Sequence, residues 1–75
     1  MRLSVDSLFT QAFSQPRDPR SESYKLGVRA ALQYRIKGTR IVNPYPPASA
    51  QCDAFYAGTQ EGHAIWRRAK ETHDE

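Results

Sequence analysis

The sequence has one cysteine, Cys52, so no intramolecular disulfide can form. Its two histidines, His63 and His73, stand far apart, and no CxxC or HxxxH spacing is present to hold a structural zinc. Apolar runs are short, which excludes a membrane-spanning helix. The first residues lack the basic start and apolar core of a signal peptide, so the expected location is the cytoplasm. There is no Walker motif, no GxGxxG, no GxSxG and no SxxK, and with them go the readable nucleotide and acyl-transfer sites. The chemistry expected is therefore non-enzymatic, without cofactor or metal.

What remains is 75 residues, enough for one small domain. A domain of this size buries only about 60% of the surface of its unfolded chain. Stability must come from helix packing, from oligomerisation or from a larger partner.

The net charge of +3 is unevenly spread. Seven basic residues and two acids fall between Arg17 and Arg40, leaving that segment at +5 and the rest of the chain at −2. Such asymmetry fits a surface for a polyanion, and it also fits a solvated helix face.

The pattern predicts an all-α fold. Val5, Leu8, Phe9, Ala12 and Phe13 recur at helical spacing behind Ser4 as N-cap, giving a short amphipathic helix within 1–15. Its apolar residues Leu8, Phe9 and Phe13 are candidates for docking a partner groove. Residues 16–22 read as a linker with two prolines. A second helix is expected from Glu22 to Lys37, capped by Ser21 or Ser23 and stopped by Gly38. Tyr24, Gly27, Val28, Ala31, Leu32 and Tyr34 form its buried face. Ile41 and Val42 are expected to tuck against the helices. Pro44, Pro46 and Pro47 stiffen the following stretch.

A third helix is expected from Ser49, as N-cap, to about Glu71. Ala54, Phe55, Gly58, Gly62, Ile65, Trp66 and Ala69 make its stripe, with Gln60, His63, Arg67 and Lys70 opposite. Glycine inside a helix costs about 1 kcal/mol relative to alanine. Two glycines in register with the stripe therefore call for a close packing partner. That partner is the Gly27/Ala31 face or the Tyr24 and Tyr34 rings, and the short connection suggests an antiparallel helical hairpin over 23–71. Residues 72–75 form an acidic tail.

Single residues offer little chemistry. Cys52 near a helix start is a small buried hydrophobe or a thiol activated by the helix dipole. Asp53 serves the dipole, and His63 reads as a surface residue. Arg29, Arg35, Lys37 and Arg40, with Tyr45 nearby, combine guanidinium groups for phosphates with a ring for unpaired bases, so these five are the candidate RNA-binding residues. Tyr45, between prolines, is either a presented ring or a plug at the base of the helices.

The stretches GVRAAL (Gly27–Leu32), NPYPP (Asn43–Pro47) and AFYAGTQEG (Ala54–Gly62) together resemble the ribosome modulation factor family. Asn43 stands where that family has a cysteine before Pro-Tyr, and Thr59 where a second tryptophan often falls. The resemblance covers roughly Tyr24 to Arg68. It implies a compact two-helix unit that binds the small ribosomal subunit and its ribosomal RNA, blocks initiation and promotes inactive ribosome dimers. By position, Gly27, Pro44, Tyr45, Phe55 and Gly58 would carry the fold. The alternative reading is a small inhibitor or adaptor of phage or mobile-element type that binds a host protein complex.

Overall fold

In the computed structural model, which describes residues 4–14 and 20–73, three helices follow one another: α1 (Val5–Ser14), α2 (Glu22–Lys37) and α3 (Ala50–His73). Residues 1–3 and 15 of the expected N-terminal segment, 16–19 of the expected linker, and the final acids Asp74 and Glu75 lie outside the described residues. No strand occurs among those described, so the all-α class holds.

The caps explain the helix bounds. The Ser4 hydroxyl accepts from the Ser7 amide at 3.1 Å, the Ser21 hydroxyl from the Tyr24 amide at 3.2 Å, and the Ser49 hydroxyl from the Cys52 amide at 3.0 Å. Each satisfies one of the amides a helix start leaves without a partner. Gly38 closes α2 in the left-handed region at φ 76°, its amide donating to the Tyr34 carbonyl.

α2 and α3 meet through their glycines. A Cβ on Gly27 would lie 2.1 Å from the Phe55 carbonyl oxygen, and one on Gly58 would lie 2.1 Å from the Tyr24 carbonyl oxygen. A Cβ on Gly62 would stand 2.6 Å from the Ala31 Cβ. Of the two packing partners open from the sequence, it is thus the Gly27/Ala31 face that fills the glycine notch. The contact is backbone against backbone, the geometry in which Cα hydrogens face carbonyl oxygens.

The two surfaces are alike. Tyr24-x-x-Gly27-Val28-x-x-Ala31 on α2 matches Phe55-x-x-Gly58-Thr59-x-x-Gly62 on α3. Gly27 faces Phe55 and Thr59, while Gly58 faces Tyr24 and Val28, so the two halves of the seam are related by an approximate two-fold exchange.

This register corrects the expected hairpin. Contacts advance together along both helices: Tyr24 meets Gly58 and Glu61, Ala31 meets Gly62, and Arg35 meets His63 and Trp66. An antiparallel pair would bring the end of α2 to the start of α3. Here the helices cross in the same sense, and the connection runs back along α2 to permit it. Arg40, Val42 and Pro44 line one groove with Leu26, Ala30 and Gln33 of α2.

The core lies where α1 covers the crossing. Val5, Leu8, Val28, Leu32 and Ile65 are buried together, with Phe9, Phe13, Trp66 and Ala69 packed around them. Three expectations change. Tyr34 is 48% exposed, because it lies beyond Ala31 where its ring meets His63 instead of the core. Val42 is 66% exposed, since the returning segment turns it outward. His63 is half-buried rather than a surface residue.

Candidate functional site

The five residues read from the sequence as RNA-binding do not gather in one place. Arg29 holds α1 on α2: its guanidinium donates to the Asp6 carboxylate at 3.0 Å and lies 4.4 Å from the Phe9 ring centre. Lys37 lines a groove with Ser4, Asp6 and Arg29 on the α1 side. Arg40 belongs to the groove beside the returning segment. Tyr45 is half-buried, its ring edge-on to Phe55 at 6.3 Å between centres, and its amide donates to the Asn43 side chain at 3.0 Å. The ring is thus packed on α3 rather than fully presented to solvent.

The apolar residues of α1 face inward. Leu8 is 6% exposed, and Phe9 and Phe13 pack against the same core with their rings 4.9 Å apart. The stripe that could have filled a partner's groove covers the chain's own α2 and α3.

Arg35 alone of the five enters a cluster. Its Nε donates to His63 Nδ1 at 3.0 Å, and its guanidinium lies 4.9 Å from the Trp66 ring centre. Lys70 Nζ reaches the same ring at 5.2 Å. The Tyr34 and His63 rings form a T-shaped pair at 6.2 Å between centres. Burial, followed by the positive charges of Arg35 and Arg67, holds the His63 imidazole below its ordinary value of 6.5. Protons are thus kept off a histidine already ringed by cations.

Because α2 and α3 run in the same sense, the last turn of α2 lies against the second half of α3. There Tyr34 and Arg35 meet the stretch of α3 that carries His63, Trp66, Arg67 and Lys70. Among the described residues, none of Arg35, Arg67 and Lys70 forms an ion pair with a carboxylate, whereas Lys25 pairs with Glu22 and Arg29 with Asp6. Sequence reasoning missed this grouping because an antiparallel arrangement sends the two ends apart. The run Trp66-Arg67 followed by Lys70 was its available signal.

Cys52 is 8% exposed and accepts a hydrogen bond at Sγ from the Asn43 amide at 3.2 Å, the environment of a packed small hydrophobe. Among the described residues, no group of metal-binding side chains converges and no helix is long and apolar enough to cross a membrane.

No family model, curated protein or solved structure matches the chain.

Proposed function

We propose that this chain is a non-enzymatic, RNA-associated modulator that works on the ribosome in the cytoplasm, in the manner of the ribosome modulation factors it resembles. The observation that supports this reading is the cluster of aromatic rings and cations, without a carboxylate partner among the described residues, where the end of α2 meets the second half of α3. Guanidinium and ammonium groups bind phosphates and release counterions, which supplies affinity without sequence readout. The family's basic residues would lie on the first matching helix, and Arg35 meets that description. Arg29 acts mainly as a fastening for α1.

Sedimentation with ribosomes at low salt, together with a gel shift on ribosomal RNA, tests the reading. Association that weakens steeply with salt supports it. Absence of both signals sinks it.

A second reading, binding to a host protein complex, draws on Leu26 and Val42, which are 45% and 66% exposed beside one groove. Under that reading the docking surface is the returning segment and not α1. Substituting both residues by serine and repeating a pulldown from host lysate separates the two.

A further inference from the structure

The RNA-binding reading leaves open which form of RNA is bound, and the geometry of the cluster bears on that choice. We infer that Tyr34, with Arg35 beside it and Arg67 and Lys70 on the neighbouring stretch of α3, forms a stacking site for unpaired nucleotides, so that the chain prefers single-stranded RNA to duplex. This inference rests on the proposed function.

Three observations carry it. The first is an aromatic ring that is both accessible and held. Tyr34 is 48% exposed, yet its ring packs in a T-shaped pair with His63 and the Arg35 guanidinium lies 6.0 Å from its ring centre. A ring already fixed loses little freedom when a base stacks on it, and every base offers a π-face.

The second is where the cations sit. Arg35, from α2, lies by the rings of both Tyr34 and Trp66; Lys70, from α3, lies by Trp66; and Arg67, from α3, is close enough to act on the charge of His63. A single strand presents bases and phosphates alternately along its backbone, so a ring beside cations matches it. A duplex hides its base faces in the stack and shows phosphates and edges only. It could use the cations and not the ring.

The third concerns neighbouring negative charge. Asp6 and Glu22 are engaged with Arg29 and Lys25 on other faces, and Glu61 receives the Tyr24 hydroxyl. The carboxylate nearest in sequence is Glu71, exposed and one turn beyond Arg67, without an ion pair to it among the described residues.

The chain carries its own reporter, since Trp66 is its sole tryptophan. Titrations would follow Trp66 fluorescence and the anisotropy of a labelled RNA, comparing a short unstructured strand with the same sequence in duplex form. The expected result is single-strand affinity about tenfold higher, the factor one stacked base supplies. Tyr34→Ala should remove that preference while duplex affinity stays the same, and Tyr34→Phe should restore it. Far-ultraviolet circular dichroism checks that the variants are folded. Equal affinity for both forms, or a Tyr34→Ala loss shared by both, overturns the stacking site while leaving RNA binding intact. Failure to bind either form overturns the parent reading as well.

Discussion

Gly27 and Gly58 occupy reciprocal positions: each presents its bare Cα to a carbonyl oxygen of the other helix, three residues before the opposing glycine. The two notches fit into each other, so neither helix can thicken without moving the other. This explains why two long helices in a small chain both tolerate glycine at the middle of their packed faces.

Gly58→Ala tests the point. Alanine gains about 1 kcal/mol of helix propensity. Its Cβ would meet the Tyr24 carbonyl oxygen at 2.1 Å, and a backbone atom cannot rotate away. Overpacking of this kind costs about 1–3 kcal/mol and at times more, here against backbone, so the net expectation is a loss of about 1–2 kcal/mol. Gly38→Ala is the contrast. Nothing lies within 4 Å, and its cost, about 1–2 kcal/mol, comes from the positive φ alone. Urea unfolding followed by circular dichroism compares them. If Gly58→Ala were stabilising, the close crossing would be wrong.

The helix bounds were legible in the sequence because local chemistry sets them: Ser4, Ser21, Gly38 and Ser49 each end or begin a helix through their own hydrogen bonds or φ. The direction of packing was not. α2, with its 16 residues, is about 24 Å long. The connection of residues 38–49 can reach about 40 Å when extended. It is thus long enough either to turn back at once or to run the full length of α2, and its prolines favour extension in both cases. The candidate site followed the same fate. Arg35 was legible as basic, but its neighbours Trp66, Arg67 and Lys70 join it only through the sense of the crossing. Nor does anything in the sequence pair Arg29 with Asp6, which belongs to a separate helix.

Tyr45 closes the gap between the returning segment and the start of α3, so its removal should be felt in folding before binding. Tyr45→Ala is expected to cost about 1–2 kcal/mol, less than the roughly 3–5 kcal/mol of a fully buried aromatic, because the ring is half-buried. Tyr45→Phe keeps the edge contact with Phe55 and should be near neutral. RNA affinity of the folded fraction should not change in either variant. A selective loss of RNA binding in Tyr45→Phe would restore the reading of a presented ring.

The Arg29–Asp6 pair is exposed on the acid side, where the side chain is 86% accessible against 38% for the arginine. A double-mutant cycle with Asp6→Asn and Arg29→Gln should therefore give a coupling of about 0.2–1 kcal/mol, fading in high salt. The single change at Arg29 should cost more than that at Asp6, since it also uncovers Phe9. Equal single effects would mean that the stacking contributes nothing.

His63 predicts a pH dependence. Its folded value is depressed below 6.5 by burial and then by Arg35 and Arg67. The unfolded chain therefore binds the proton more readily. Stability is full above pH 6.5 and is lost as pH falls through the lower folded value. His63→Asn removes this titration, so its unfolding midpoint should vary less than that of the parent chain between about pH 8 and about pH 5. His73, present in both, serves as the common background. Parallel pH profiles would show that His63 does not carry the effect.

Salt dependence gives the count of phosphates engaged. For single strands the logarithm of the binding constant falls with the logarithm of salt at about 0.7 per phosphate neutralised. Arg35, Arg67 and Lys70 supply three cations at the cluster, and a slope near −2 is expected if all three engage. Arg67→Ala should weaken binding to every sequence alike and make the slope shallower by about 0.7. Arg29→Ala should leave the slope as it is, because that guanidinium already serves Asp6 and Phe9. Fluorescence titrations across a salt series read both numbers. The opposite pattern, with Arg29 setting the slope and Arg67 silent, would move the interface to the α1 side of the molecule and away from the place where the end of α2 meets the second half of α3.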